Sequence, residues 1–201
     1  MDNLTENTIS YYDKNADEYV EFTRGVDFKK NEDIFLSFLG KGKIRILDFG
    51  CGSGRDTKYF LERGFLVDAI DGSKKLCEAA SEYTGIEVKN MLFADLNEVD
   101  KYDGIWACAS ILHVPKNELF DVFKNMIRAL KDEGIIYASF KYGDFEGERN
   151  GRYFTYFDEE SFKIFCQKFS KKVKIEKLWI SGDVVPGREE ERWLNIILKK
   201  S

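Results

Sequence analysis

The chain has 201 residues, 43% of them apolar and 15% aromatic, with 31 Lys and Arg against 36 Asp and Glu for a formal net charge of -5. That length suits one α/β domain around one core, and the acidic balance removes the basic field that would make nucleic acid or an anionic membrane the expected partner. No run approaches the roughly 18 apolar residues of a membrane span, and Met1 to Glu6 lack the basic and apolar segments of a signal peptide, so a soluble, cytoplasmic protein without a membrane contact is expected.

The first forty residues carry two helical patterns, Tyr11, Tyr12, Ala16 and Tyr19, then Ile34, Phe35, Phe38 and Leu39, ended by Gly40-Lys41-Gly42. Lys43 to Phe49 reads as a buried strand, and Gly50-Cys51-Gly52-Ser53-Gly54 follows as a glycine-rich turn into a helix that stops at Gly64. Phe65 to Ile70 is a second strand ending at Asp71. Gly72-Ser73 then caps a helix with Leu76, Ala79, Ala80 and Tyr83 on one face, stopped by Gly85. Ile86 to Val88 and Gly104 to Cys108 read as strands three and four. Pro115 opens a helix presenting Leu119, Phe123, Met126, Ile127 and Leu130, which Gly134 ends. Strand five is expected at Ile135 to Phe140, followed by a long loop from Lys141 to Tyr153 of the kind that often carries function. Asp158 begins a helix with Phe162, Phe165, Cys166 and Phe169 inward. Val173 to Ile180 and Arg192 to Leu198 close the chain as an antiparallel pair.

Five βα units and a hairpin predict an α/β fold, a mostly parallel sheet covered on both faces with an antiparallel strand at its edge. Ligands on such sheets bind beyond the carboxyl ends of the strands. Cys51, Cys77, Cys108 and Cys166 form no C-x-x-C pair, so neither zinc nor disulfides are expected. His113 is the single histidine, which excludes any site needing two imidazoles. No metal site is predicted, although an all-carboxylate magnesium site stays open.

The glycine loop follows a strand and opens a helix, the context in which backbone N–H groups face an anion and a ligand approaches without meeting a Cβ. A dinucleotide fingerprint needs its third glycine at position 55, which is Arg55; here the glycines stand at 50, 52 and 54, with Asp48 two residues ahead. Asp71, 21 residues after Gly50, ends the second strand, where a carboxylate can accept both hydrogen bonds of a ribose diol. Asp48 ends a buried strand, where an acid is costly unless it finds donors such as loop N–H groups or a ligand ammonium.

On these residues the chain resembles the class I S-adenosylmethionine-dependent methyltransferases over nearly its whole length. Ile46 to Gly54 look like that family's first motif, Asp71 like its ribose-binding acid, Phe93-Ala94-Asp95-Leu96 like its adenine segment, and Tyr102 to Cys108 like its fourth motif. The resemblance implies a Rossmann-like seven-stranded sheet whose last strand is antiparallel, spanning 43–201 as the core of a single domain, with 1–40 as a helical cap. It implies S-adenosyl-L-methionine as cofactor, bound by Tyr12, Asp48, Gly50, Cys51, Gly52, Gly54, Asp71, Gly72, Asp95, Leu96, Ala107 and Cys108. Trp106, His113, Lys141 and Arg152 are expected in the acceptor pocket, with His113 as a candidate general base. Arg24, Arg55 and Asp56 are further candidates for the cofactor carboxylate or the substrate. The expected reaction is methyl transfer to an O, N or S atom of a small molecule by a monomer or homodimer. The rivals are an RNA or protein methyltransferase, a nicotinamide dehydrogenase with a variant loop, and a cofactor-binding protein without catalysis. An Asn-Pro-Pro-Tyr-like signature is absent, since Ala109-Ser110 follow strand four, which argues against adenine-N6 modification.

Overall fold

The computed structural model describes residues 3–185 and 187–201, so Met1 and Asp2 of the expected cap, and Pro186 in the last connection, lie outside the described residues. Three helices come first: α1 (Asn3–Lys14), α2 (Ala16–Arg24) and α3 (Lys29–Phe38). Strands and helices then alternate through β1 (Arg45–Phe49), α4 (Arg55–Glu62), β2 (Leu66–Asp71), α5 (Lys74–Thr84), β3 (Val88–Asn90), β4 (Tyr102–Ala107), α6 (Lys116–Ala129) and β5 (Leu130–Lys141). The chain continues as β6 (Glu146–Arg149), β7 (Arg152–Thr155), α7 (Glu159–Cys166), β8 (Val173–Gly182) and β9 (Arg192–Lys200).

The main sheet has seven strands in the order β3-β2-β1-β4-β5-β9-β8. β1 lies inside the sheet, Ile46 facing Val67 of β2 and Gly104 of β4 in parallel register, and with both sheet faces covered its Ile46, Leu47, Asp48 and Phe49 are all buried. The strand order reverses between β1 and β4, and the crevice beyond their carboxyl ends is where such sheets take ligands. α3 and α4 cover one face with Phe35 and Phe60 against Trp106 and Tyr137, while α6 and α7 cover the other with Phe123, Phe162 and Phe165. The expected caps are present: Ser73 Oγ accepts from Leu76 N, Gly85 takes the left-handed conformation after α5, and Asp158 and Ser161 form a reciprocal capping box. No described helix is long and apolar enough to cross a membrane.

Three expectations change. β9 is antiparallel, as expected of the last strand, but it is not the edge; it inserts between β5 and β8, which leaves β8 outermost and explains why Leu194 to Leu198 are all buried. Gly134 does not end α6, which stops at Ala129 and passes directly into β5. Gly134 instead serves an irregularity in the β4–β5 ladder, where Glu133 has φ 65° and a Cβ on Gly134 would meet the Lys131 carbonyl at 2.8 Å. The expected long loop from Lys141 to Tyr153 holds a hairpin, β6 on β7, with Arg149 facing Arg152 across Asn150-Gly151. Both turn residues have positive φ, 52° and 74°, the geometry of a two-residue type I′ turn.

Candidate active site

The glycine loop is held from two sides. Gly50 has φ 90°, and a Cβ there would stand 2.5 Å from Ser110 Cβ and 3.0 Å from Phe93 Cζ, so only glycine lets the loop lie against the segment after β4. From β2, Asp71 Oδ2 accepts from Gly52 N at 2.9 Å and Oδ1 from Ser73 N at 2.9 Å. A carboxylate offers about four lone-pair sites, so both oxygens keep capacity toward the cavity they line. Burial raises the Asp71 pKa, opposed by the Ser73 and Gly52 N–H groups.

Two cavities meet at this loop. The smaller, about 210 Å³, runs from Asp71 and Gly72 along an apolar wall of Ile9, Leu92, Phe93 and Ala94. The larger, about 490 Å³, lies between the N-terminal helices, the β6–β7 hairpin and the β8–β9 connection, with Arg152, Lys141, Tyr156 and Trp193 among its walls. Tyr12, Tyr19, Gly50, Ala109 and His113 line both, so the cavities share a partition. Ala109 holds φ 48°, a conformation rare without glycine, and is fixed by its N–H bonding Ser139 Oγ at 2.8 Å. Strain of this kind persists only where surrounding structure enforces it.

His113 occupies the partition with both ring nitrogens engaged. Nδ1 lies 2.6 Å from the Tyr153 carbonyl oxygen, which only accepts, so Nδ1 carries the proton and Nε2 accepts from the Tyr12 hydroxyl at 2.8 Å. Burial, reinforced by the charges of Arg152 and Lys141, pushes its pKa down to about 4. The imidazole is therefore neutral at pH 7 and clamps α1 to β7 rather than standing free as a base. A ring that protonates near 6.5 when unfolded and near 4 when folded takes up protons preferentially in the unfolded chain between those values. Its stabilisation is complete above pH 6.5 and is lost as pH falls toward 4, by up to about 3 kcal/mol. Urea titrations at pH 7.5 and pH 4.5 on wild type and His113→Asn test this: the stability gap between the two proteins should shrink on acidification, and a pH-independent gap contradicts it.

The other expected site residues divide into those on the cavity walls and those behind them. Tyr12, Gly50, Cys51, Gly52, Asp71, Gly72, Cys108, His113, Lys141 and Arg152 line one or both cavities. Asp48 does not; it is buried beneath the loop, with Thr57 Oγ1 donating to its Oδ2 at 2.6 Å, and burial with the nearby Asp56 carboxylate pushes its pKa up to about 8. Trp106 lies in the core instead of the acceptor pocket, stacked on Tyr137 at 3.9 Å between centroids, its Nε1 donating to Asp56 Oδ2 at 2.7 Å. Ala107 is fully buried, and Gly54 lines neither cavity, its missing side chain making room for Ala80 and Thr84 of α5. Asp95 points to solvent and Leu96 into the core, because the 3-10 turn Phe93–Asp95 rotates them off the wall that Leu92, Phe93 and Ala94 form.

Arg24 bridges Ser53 O and Ala79 O, tying α2 to the glycine loop and α5. Arg55 and Asp56 reach the larger cavity as an ion pair of 2.5 Å. Burial raises the Asp56 pKa, but Arg55 and the Trp106 N–H outweigh it and hold the carboxylate ionised. Beside it, burial and the Asp56 charge push Glu32 up to about 9, so Glu32 donates a proton into this network. Residues that periodicity did not mark as site residues, notably Ile9, Leu92, Ala109, Arg188 and Trp193, come to the cavities from five separate segments.

A sheet with this strand order and a glycine loop at its switch point defines a Rossmann-like α/β domain. Residues 46–134 match a family model described as Methyltransferase domain. YqeM of Bacillus subtilis (strain 168) is 33% identical over 111 residues, 49% of this chain and 44% of the relative. The N-terminal Xaa-Pro-Lys N-methyltransferase 1 of Danio rerio is 29% identical over 124 residues, 55% of this chain and 56% of the relative. The chain thus spans about half the length of the curated relatives it matches. Among solved structures, Burkholderia thailandensis 1,6-didemethyltoxoflavin-N1-methyltransferase, with bound 1,6-didemethyltoxoflavin and S-adenosylhomocysteine, superposes with a TM-score of 0.76 at 19% identity. That likeness covers 98% of this chain and 87% of that one, and is one of fold. Over residues 46–134, somewhat less than half of its length, the chain is thus similar to methyltransferase domains.

Proposed function

We propose that the protein transfers a methyl group from S-adenosyl-L-methionine to an O, N or S atom of a small molecule held in the larger cavity. The observation that carries this reading is the shared partition: two cavities with different chemistry meet only where Gly50, Ala109, Tyr12, Tyr19 and His113 stand. The smaller one fits the cofactor's nucleoside, with an apolar slot at Leu92 and Phe93 for the base and the spare lone pairs of Asp71 for the ribose hydroxyls. Gly50, Gly52 and Tyr19 would hold the methionine end. When bound, the cofactor supplies an electrophilic methyl on a sulfonium.

Attack on such a methyl depends chiefly on alignment and exclusion of water. The chain supplies both through Tyr12 and His113, which fix α1 and β7 over the partition. A proton acceptor is not required of His113, whose lone pair is already used by Tyr12. Enclosure of the larger cavity by three separate segments favours a small acceptor over a polymer lying on an open surface. A thermal-shift screen tests the cofactor: S-adenosylhomocysteine and S-adenosylmethionine should raise the melting temperature and NAD should not, since a ligand binding only the folded state stabilises it. Stabilisation by NAD alone would overturn the proposal.

A further inference from the structure

Charges along the larger cavity are unevenly satisfied. Lys141 is paired with Glu191 and Arg55 with Asp56. Arg149, Arg152 and Arg188 line the same cavity and form no ion pair among the described residues. Of the other acids on this wall, Glu18 forms no ion pair among the described residues and Asp183 is committed to its own connection, accepting from Trp193 Nε1 at 3.1 Å and Val185 N at 2.8 Å, so the three unpaired arginines outnumber the one unpaired carboxylate.

Arg152 is the most exposed to this imbalance. Its Nε is shut off from solvent without any hydrogen-bond partner, and its Nη1 reaches only the Tyr12 hydroxyl, at 3.4 Å. Its guanidinium carbon lies 4.3 Å from the Tyr11 ring centroid, so an aromatic face covers it while no carboxylate neutralises it. Three guanidiniums without an ion pair on one cavity wall are most simply compensated by an anionic ligand. The cations also act on one another: burial lowers the Lys141 pKa, and Arg188, Arg152 and Arg149 lower it further. Aromatic rings make up much of the remaining wall, with Tyr19, Phe28, Tyr156 and Trp193 contributing.

We propose that the acceptor is a planar aromatic carboxylate, its carboxylate held by the Arg152 fork with Arg149 and Arg188 beside it and its ring lying among the aromatic walls. A guanidinium can offer a carboxylate two parallel hydrogen bonds from its terminal nitrogens, which fixes the ligand's orientation as well as its charge. The bound anion also separates the arginines from the positive sulfonium on the other side of the Tyr12–His113 partition. This inference rests on the proposed methyl-transfer reading for the identity of the second cavity's partner, but the anion site itself does not need it.

Calorimetric titration of benzoate, salicylate, 4-hydroxybenzoate and indole-3-carboxylate, each beside its carboxamide, tests the proposal on protein with and without S-adenosylhomocysteine. At least one acid should bind about tenfold or more tighter than its amide. Arg152→Gln should abolish that preference, and Arg152→Lys should restore part of it by keeping charge without the fork. S-adenosylhomocysteine affinity and melting temperature of Arg152→Gln should stay near wild type, which separates loss of the anion site from loss of the fold. Equal binding of acid and amide, no measurable binding of any acid, or a preference that survives Arg152→Gln overturns the proposal. Failure of S-adenosylhomocysteine to bind wild type would instead remove the methyl-transfer reading and leave the acid-over-amide comparison standing.

Discussion

Asp71→Ala should weaken S-adenosylhomocysteine binding by roughly a hundredfold, the loss expected when about 3 kcal/mol of charge-assisted hydrogen bonding to a ribose diol disappears. The carboxylate has two jobs in this fold. It accepts from Gly52 N and Ser73 N and so sets the glycine loop against the end of β2, and its remaining lone pairs face the smaller cavity. Alanine removes both. Asp71→Asn keeps the shape but puts an amide where at most one oxygen accepts, so its effect should be smaller than that of alanine and still well beyond tenfold. Isothermal titration of the two variants beside wild type measures this directly. An affinity for Asp71→Ala within about threefold of wild type would remove Asp71 from the ribose site.

Trp106→Ala should produce the largest loss of stability. The indole is fully buried, stacks on Tyr137, and touches Phe35 and Phe60 at centroid distances of 5.2 and 5.5 Å. Emptying such a site costs about 3–5 kcal/mol, and Asp56 loses a donor in a buried network that also holds Arg55 and Glu32. At about 2–4 °C per kcal/mol for a chain of this size, the melting temperature should fall by roughly 10 °C or more. Trp106→Phe separates the two contributions, since it keeps most of the packing and loses only the N–H. Folded Trp106→Ala, examined well below its transition, should bind S-adenosylhomocysteine close to wild type. A melting temperature unchanged from wild type, with weaker acceptor binding, would put Trp106 back on the cavity wall.

What the sequence revealed follows from which signals are local. The glycine loop, Asp71 and the Ser73 cap are short-range patterns, and the structure assembles them where the alternation of strand and helix requires. Asp48 and Trp106 lie on β1 and β4 two residues before the cavity-lining Gly50 and Cys108, and a strand buried on both faces gives no alternation to say which side chains face the cleft. Asp95 and Leu96 were misplaced by the 3-10 turn at Phe93, whose tight pitch moves the wall back to Leu92 and Phe93. The β6–β7 hairpin was legible in principle, because Asn150-Gly151 is a strong two-residue turn signal, but Gly143 and Gly147 break the flanking alternation and make the segment read as a loop. The anion site was only half legible: Arg149 and Arg152 stand together in sequence, whereas Arg188 and Trp193 arrive from the far end of the chain through the β8–β9 pairing.

A crystal structure of the protein with S-adenosylhomocysteine is the most direct test of the central claim, that the two cavities divide donor from acceptor at the Gly50–Ala109 partition. The account predicts the adenine against Leu92 and Phe93, both ribose hydroxyls on the Asp71 carboxylate, and the sulfur at the partition facing the larger cavity. A ligand seated in the larger cavity, or one that leaves Asp71 without a contact, would contradict it.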